Sequence, residues 1–437
     1  MKDLLILNGH LIDPRAGVDA ARDLLLREGR VAAVEAPGAL REVWDAEVID
    51  AAGLIVAPGF VDIHVHLREP GQTYKETIAT GTTAAAAGGY TTVVAMPNTV
   101  PVNDSVATTL WMQSPERGAA VNLFAMPAAT VGSMGGILTD FEALRAEGRA
   151  IGFTDDGKPI LEDAVMRRAL IEAGRCGVPI SQHAEDTRLT GGCSMNGGPL
   201  AFRLGLRGMP IEAEAGIVER DIALLREIEQ TDGLRPHLHV QHVSTGRALR
   251  VIREAKAQGL HVTCEAAPHH FTLNESAVAD YDTNAKMNPP LRSERDRRSV
   301  IAALLDGTVD CIATDHAPHA MHEKEVEFER APNGITGLET ALGLAMRVLH
   351  RKHGLPLAKI VTLMSTKPAG LVLPREFGSL VNGSRADLVL FDAGAEWRYD
   401  VAETRSKSKN TPFDGSPMVG AVRATICDGH VVFRDFT

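Results

Sequence analysis

The sequence predicts an α/β fold: a (β/α)8 TIM-like barrel with a small β domain built from the N- and C-terminal segments. Apolar, β-branched runs alternate with helix-like segments through the middle of the chain, and short strand-like runs occupy both ends. Histidine or aspartate stands where several of the central runs stop, as expected of catalytic groups at the strand ends of a barrel. A doubly wound open sheet is the alternative, but no G-x-G-x-x-G motif follows an early strand.

Both ends of the chain have the sequence pattern of a small β domain. Short apolar runs flanked by turn residues lie at residues 4–7, 30–34, 387–391 and 427–433. Asn8-Gly9 is a turn dipeptide directly after the first run. We predict a small β-sandwich domain formed by residues 1–55 together with 370–437, with the barrel inserted as residues 56–369.

The middle of the chain alternates eight predicted strands with helix-like segments. The predicted strand ends lie at residues 63–64, 94–96, 123–126, 152–154, 180–183, 240–242, 262–264 and 312–314. Between them, amphipathic segments predict helices at residues 74–87, 140–147, 162–173, 211–229, 247–256 and 294–305.

Composition indicates an ordinary soluble, cytoplasmic protein. The 437 residues are 44% hydrophobic and 23% charged, with a net charge of −11 and no basic cluster typical of a nucleic-acid surface. Five scattered cysteines, without a C-x-x-C spacing, argue against disulfides and thiolate zinc sites. The sequence shows neither a signal peptide nor an apolar run long enough to span a bilayer.

The central motif is His64-Val65-His66, which closes the first predicted barrel strand. Residues two apart on a strand share a face, so both imidazoles can reach one point beyond the strand end. A single histidine there would more often be a satisfied core residue. Two aligned imidazoles are costly to bury otherwise, and they favour metal ligation.

Further strand ends supply more metal-type ligands. They are Asp155-Asp156 on the fourth strand, His183 on the fifth, His242 on the sixth and Asp315 on the eighth. Each has an ordinary alternative: a turn, a core histidine, or a helix cap. Together they exceed the needs of one catalytic zinc and suit two metals that share a carboxylate.

The choice among neighbouring histidines rests on strand alternation. His237 and His239 lie close to His242 in sequence, and alternation along the strand would put both on the opposite face. We therefore expect His242 to be the ligand.

At this point the chain resembles a known group of enzymes. Residues 58–66 together with 313–319 are similar to the cyclic amidohydrolases of the amidohydrolase superfamily. Within it, residues 64–71, 95–99 and 337–340 resemble the dihydroorotase family in its bacterial type I form. The similarity covers nearly the whole chain.

The resemblance implies reversible, zinc-dependent hydrolysis of L-dihydroorotate to N-carbamoyl-L-aspartate in de novo pyrimidine biosynthesis. It implies two Zn²⁺ per subunit, with His64, His66 and Asp315 on one ion, His183 and His242 on the other, and Asp156 bridging. Asp315 would also carry the proton between water and the leaving nitrogen. Many superfamily members bridge their metals with a carboxylated lysine, so Lys158 is an alternative to Asp156.

Substrate contacts are also implied by the resemblance. Arg68 should face the barrel mouth and hold the substrate carboxylate; alternatively, it forms a rim salt bridge with Glu69. The remaining family positions are His66, Asn98, Asn288, His319 and the backbone of Asn333 and Gly334. Family members often have Phe where this chain has Asn333, so we expect no side-chain role there.

Two other functions compete with this one. A dihydropyrimidinase or allantoinase would act on a ring without the carboxylate, leaving Arg68 without an anion. A non-catalytic scaffold for another pyrimidine enzyme would typically lose its ligands, which are all present here. The expected partners are the small-molecule substrate, a second subunit in a dimer, and aspartate transcarbamoylase.

Overall fold

The computed structural model describes residues 2–40 and 45–436 of the chain. Its strands, in chain order, are β1 (Leu4–Asp13), β2 (Val18–Arg27), β3 (Arg30–Glu35), β4 (Glu47–Asp50), β5 (Ile55–Pro58), β6 (Phe60–Val65), β7 (Tyr90–Ala95), β8 (Asn122–Ala125), β9 (Ile180–Gln182), β10 (Met195–Asn196), β11 (Gly208–Met209), β12 (Leu238–Val240), β13 (Val262–Ala266), β14 (Cys311–Ile312), β15 (Leu388–Arg398), β16 (Pro417–Cys427) and β17 (His430–Arg434).

The helices lie mainly between the central strands. They are α1 (Ile78–Ala87), α2 (Val106–Met112), α3 (Phe141–Ala146), α4 (Asp163–Arg175), α5 (Thr187–Thr190), α6 (Pro199–Leu204), α7 (Glu212–Thr231), α8 (Gly246–Ala257), α9 (Pro268–Thr272), α10 (Glu294–Asp306), α11 (Met321–Lys324), α12 (Ala341–Ala345), α13 (Leu357–Val361) and α14 (Lys367–Val372). Short 3-10 helices lie at Pro115–Arg117, Val131–Ser133, Glu275–Val278, Thr283–Ala285 and Val401–Glu403, and π-helical turns at Met346–Lys352 and Thr362–Thr366. Within the described part of the chain, every helix is too short or too polar to cross a membrane.

One eight-stranded sheet joins the two ends of the chain. Its order is β17-β16-β15-β5-β1-β2-β3, and β4 pairs with β1 beside β5. The ends meet where β5 pairs antiparallel with β15, with Ala57 opposite Val389. The predicted turn at Asn8-Gly9 is wrong, because β1 continues through it. Asn8 has φ of 62°, and the register between β1 and β2 shifts there, so the dipeptide forms an irregularity inside one strand.

Two parallel sheets form the middle of the molecule. One has the order β6-β7-β8, and the other β14-β13-β12-β9. Isolated bridges extend them, from Val65 of β6 to His316 and from Ile180 of β9 to Phe153. Residues 152–154, the predicted fourth strand, are reduced to the bridge at Phe153. The alternation of parallel strands and helices confirms the predicted α/β class.

Burial on both faces explains why the parallel strands are so apolar. Every residue of β6 and β7 is buried, as expected when helices cover both faces of a parallel sheet. Phe60 packs edge-on against Tyr90, with ring centroids 5.8 Å apart, and against Phe391 of β15 at 6.1 Å. The core therefore ties β6, whose end carries His64, both to the next strand and to the eight-stranded sheet.

Candidate active site

The end of β6 and two aspartates from distant segments form a first group of metal-type ligands. His64 Nε2 lies 3.3 Å from Asp156 Oδ1 and 3.6 Å from Asp315 Oδ1. His66 Nε2 lies 3.4 Å from Asp156 Oδ2 and 3.0 Å from Asp315 Oδ1. All four side chains are buried. The structure thus brings both imidazoles of the central motif to one point.

Asp156 also belongs to a second group. His183 Nδ1 lies 3.6 Å and His242 Nε2 lies 3.9 Å from Asp156 Oδ1. The two histidines follow the ends of β9 and β12, and the two facing nitrogens are 3.0 Å apart. Because one carboxylate takes part in both groups, the six sequence-predicted ligands form a single cluster with two possible cation positions.

The chemistry of this cluster fits divalent metal ions. His64 Nε2 and Asp156 Oδ1 are fully buried, and neither has a hydrogen-bond partner of normal geometry among the described residues. Unpartnered buried polar atoms are costly, and a cation between them removes that cost. Imidazole nitrogens and carboxylate oxygens suit zinc and several other divalent metals.

Electrostatics point the same way. Burial alone would lower the pKa of His64, but Asp156 and Glu265 raise it well above its usual value. Burial alone would raise the pKa of Asp156, but His64 and His183 hold it well below its usual value. The cluster therefore stabilises a positive charge beside the ionised carboxylate of Asp156. A metal ion would supply such a positive charge.

Asp315 is also ionised. Burial favours its neutral form, but the hydrogen bond with His66 and the charge of His64 bring its pKa below the usual value. A carboxylate in that state can accept a proton from a neighbouring group.

A cavity of about 250 Å³ opens beside the ligand cluster. Its lining includes every predicted substrate-contact residue: His66, Arg68, Asn98, Asn288, His319, Asn333 and Gly334. A larger cavity of about 480 Å³ beside Trp397 contains none of them, so cavity size does not mark the site. The cavity at the ligand cluster combines the metal-type ligands with one buried cation, Arg68.

Arg68 is fixed at the edge of this cavity. Its side chain is buried, its φ is 59°, and its Nε donates to Pro318 O at 3.1 Å. The alternative salt bridge with Glu69 is not formed: Glu69 accepts from Ile78 N at 2.8 Å and faces Arg117 at 3.8 Å. The guanidinium is therefore held by a backbone carbonyl and keeps its charge for an anion.

His319 is a neutral hydrogen-bond donor in this arrangement. Burial and the charges of Arg68 and Lys75 lower its pKa to about 2. Nε2 lies 2.8 Å from Asn333 O, and a carbonyl can only accept, so Nε2 carries the proton and donates to it. Nδ1 is then the acceptor that faces Lys75 Nζ at 3.4 Å. Arg68 Nη2 also lies 3.4 Å from Nε2, but two donors cannot hydrogen-bond to each other. His319 thereby holds the backbone at Asn333.

Comparison with known proteins agrees with this geometry. A protein-family model described as Dihydro-orotase-like matches residues 53–247. A protein named dihydroorotase from Geotalea daltonii is 45% identical over 433 residues, covering 99% of both chains. Another, from Anaeromyxobacter dehalogenans, is 46% identical over 442 residues, covering 100% of this chain and 99% of its own. The chain belongs to the dihydroorotase family. This confirms the predicted class, a metal-dependent cyclic amidohydrolase.

Solved structures extend the likeness to the fold of this dihydroorotase-family chain. An L-hydantoinase (dihydropyrimidinase) from Arthrobacter aurescens superposes with a TM-score of 0.86 at 26% identity, covering 99% of this chain and 96% of its own. A dihydropyrimidinase from Brevibacillus agri gives 0.83 at 24% identity, covering 99% and 95%, and shows a shared fold alone. The relatives that share nearly half of the sequence are the dihydroorotases.

The fourth-strand region contributes Asp156 to the cluster. Asp155 turns away and accepts from Thr130 N at 2.9 Å. Lys158 is exposed, with its Nζ 3.9 Å from Met134 Sδ, so the structure places the alternative bridging residue outside the cluster.

Strand alternation does not govern the choice of His242 as the prediction assumed. β12 ends at Val240, and His242 follows with φ of 30°. His239 is also buried, but its Nε2 lies 3.0 Å from Glu265 Oε2 and not at the cluster. His237 contacts Thr263. The two rivals are thus occupied elsewhere.

Sequence reasoning missed several residues that hold the site. Glu265 contacts His64, and Glu185 contacts His183 and Asn288. Asn98 was predicted as a substrate contact, but its contact with His66 was not. A glutamate inside the apolar run of β13 was a usable signal, because a charge buried in a strand needs a partner. Asn410, which hydrogen-bonds to Ala317, His319 and Gly334, had no comparable signal in the sequence. Its partners lie far away in sequence.

Proposed function

We propose that the protein interconverts L-dihydroorotate and N-carbamoyl-L-aspartate at a pair of Zn²⁺ ions, in de novo pyrimidine biosynthesis. One observation carries this proposal: two ligand groups that share Asp156 lie in the same cavity as the buried guanidinium of Arg68. The paired ligands suit hydrolysis of a cyclic amide, and the cation suits a substrate that bears a carboxylate.

The six ligand residues divide naturally between the ions. His64, His66 and Asp315 would hold one, His183 and His242 the other, and Asp156 would lie between them. When bound, the ions activate a water molecule and polarise the ring amide carbonyl.

The protein residues position the reactants and move the proton. Arg68 binds the substrate carboxylate through its guanidinium fork. Asp315, 3.0 Å from His66, takes a proton from the attacking water as the new C–O bond forms. It then donates that proton to the ring nitrogen as the C–N bond breaks, which frees the product's ureido group and leaves a carboxylic acid that loses its remaining proton to solvent. Ring closure uses the same proton in the opposite direction.

The loop of residues 319–334 is the proposed cover of the substrate. Two buried lysines hold it: Lys286 Nζ donates to Phe328 O and Ala331 O, both at 2.8 Å, and Lys324 Nζ donates to Pro332 O at 2.8 Å. These bonds fix the chain just before Asn333 and Gly334, whose backbone groups line the cavity. They support a backbone contact with the pyrimidine ring at this point.

We also infer the finer organisation of the molecule. The bridges at Val65 and Phe153 support a closed (β/α)8 barrel over residues 56–369. The shared sheet of both ends supports a separate small β domain of residues 1–55 and 370–437. A dimer and an association with aspartate transcarbamoylase stay predictions from the resemblance.

The test of the function uses the metal-loaded protein and the absorbance change on ring opening. We expect about two zinc ions per chain and hydrolysis of dihydroorotate. Arg68→Met should lower kcat/KM for dihydroorotate by about 100-fold, as expected for a lost charge-assisted bidentate contact. It should hardly change the slow hydrolysis of dihydrouracil, an uncharged ring.

The matched control is Arg330→Met, which removes an exposed arginine from the covering loop. It should leave both rates unchanged. Equal losses on the two rings in Arg68→Met would refute the anion role. A zinc-loaded protein inert towards dihydroorotate would refute the proposed function and favour a scaffold.

A further inference from the structure

Glu265 connects the two ligand groups from within the protein. It lies on β13, and its side chain is 1% exposed. Its Oε1 is 2.5 Å from His64 Nδ1 and also accepts from the backbone N of His242 at 3.3 Å. One carboxylate oxygen therefore contacts a residue of each proposed metal position.

The second oxygen of Glu265 is anchored as well. Oε2 lies 3.0 Å from His239 Nε2, and His239 Nδ1 lies 2.8 Å from Thr263 Oγ1. With both oxygens engaged, the carboxylate has one orientation. The group formed by His239, Glu265 and Cys311 is therefore better explained as support for the cluster than as a third metal position.

The contact with His64 determines which nitrogen faces the cavity. A carboxylate can only accept, so His64 Nδ1 carries the proton of this hydrogen bond. Nε2 is then the nitrogen aimed at Asp156 and Asp315, and a bound cation would take the place of any proton on it. A histidine ligand must direct one ring nitrogen at the metal in this way while the other is held by a hydrogen bond.

The contact with His242 acts on the backbone. A φ of 30° is unfavourable for any residue with a side chain and persists only when neighbouring contacts enforce it. The hydrogen bond from His242 N to Glu265 is such a contact, and it directs the imidazole towards Asp156.

We propose that Glu265 is a positioning residue that sets the ligand geometry of both metal ions at once. The inference rests on the proposed binuclear function. It goes further by assigning the coupling of the two positions to one carboxylate that touches neither the substrate nor the ions.

Glu265→Gln keeps the size of the side chain and removes its charge. We expect zinc affinity to fall by about 10–100-fold, the usual effect of losing such a partner. Competition with a coloured chelator measures this without reference to activity. kcat should fall at saturating zinc, whereas KM for dihydroorotate should stay within about twofold, because Glu265 lies outside the cavity lining.

Glu214→Gln is the matched control. Glu214 is also a buried carboxylate and is 2% exposed. It accepts hydrogen bonds from Ser244 and Thr245, and neither of these is among the six proposed metal ligands. It should lower the thermal midpoint and leave zinc affinity unchanged.

Glu265→Asp is the second variant. It keeps the negative charge, but its side chain is one methylene shorter, so the carboxylate lies further from His64 and His242. It should lose less zinc affinity than Glu265→Gln. Wild-type zinc affinity in either folded variant overturns the proposal, and so does a lower thermal midpoint as the sole change. Failure of the wild-type protein to bind zinc would instead contradict the proposed function itself.

Discussion

Three residues of the candidate site have left-handed backbone conformations. Arg68, His242 and Asp315 have φ of 59°, 30° and 49°, each costing on the order of 1–2 kcal/mol for a residue with a Cβ. Surrounding contacts maintain them, such as the bond from Arg68 Nε to Pro318 O. These three conformations lie where ligand direction matters, so the protein fixes these side chains before substrate arrives.

At the same scale, the proposed bridging role of Asp156 can be tested against its alternative, Lys158. Asp156→Asn should lower zinc affinity by more than about 100-fold and abolish measurable turnover, because both ligand groups lose their shared charge. Lys158→Met is the control and should leave both unchanged, since its ammonium is exposed. Elemental analysis after dialysis, together with the ring-opening assay, measures the two effects. Loss of metal in Lys158→Met would contradict the assignment.

Residue types at strand ends could be predicted because that pattern is local. The sequence placed His64, His66, His183, His242 and Asp315 at such ends, and the structure brings them together. The choice between Asp155 and Asp156 could not be made from spacing. It depends on Thr130, whose backbone engages Asp155 and leaves its neighbour to face the cluster.

At the scale of elements, the segment of residues 404–411 links the C-terminal strands to the site. Thr404, Ser406, Ser408 and Asn410 are buried and alternate with exposed residues, as in an extended chain with one covered face. Asn410 Nδ2 donates to Ala317 O and Gly334 O, both at 3.0 Å, and its Oδ1 accepts from His319 N at 2.9 Å. One amide thus holds both loops that border the cavity.

Asn410→Ala should therefore loosen substrate binding. Loss of these hydrogen bonds, each worth about 1 kcal/mol, should raise KM for dihydroorotate by about tenfold or more, with zinc content unchanged. Lys409→Ala, at the exposed neighbouring position, should match the wild-type protein. Steady-state kinetics and metal analysis of both variants decide the matter, and an unchanged KM in Asn410→Ala would exclude this role.

The boundaries of helices with a clear amphipathic period could be predicted closely from the sequence, and those of short strands could not. α4, α7 and α10 lie within two residues of the predicted 162–173, 211–229 and 294–305, because long amphipathic repeats are a strong local signal. Residues 152–154 make only one bridge, since such a short run depends on its neighbours. The alternation in Ser-Lys-Ser-Lys-Asn is local, but the loops that Asn410 contacts lie far from it in sequence, so these contacts could not be predicted.

At the scale of the whole molecule, a partly buried histidine ties stability to pH. His237 stacks on His261 with ring centroids 4.1 Å apart. Burial, together with the charges of His261, His239 and Lys256, lowers its pKa to about 2. An unfolded histidine titrates near 6.5. Below about pH 6.5 the unfolded chain therefore binds a proton that the folded protein does not, and stability falls as the pH falls.

His237→Gln should make that fall shallower. The side-chain amide can keep a hydrogen bond to Thr263 Oγ1, which lies 2.7 Å from His237 Nε2, and it does not titrate. One such histidine contributes up to about 1.4 kcal/mol per pH unit, so the thermal midpoint should depend less on pH between about 6 and 4. His353→Gln, at an exposed position, should follow the wild-type curve. Parallel curves for all three proteins would contradict the expectation.

The pairing of β5 with β15 sets an order of events during synthesis. The edge of β5 that receives β15 stays open while the ribosome makes the intervening chain, and an open edge invites contact with other chains. All six metal-type ligands leave the ribosome before Asn410, which completes the cavity border. A nascent chain can therefore assemble its cation-binding groups early, but the border of the cavity is complete only after residue 410 has been translated.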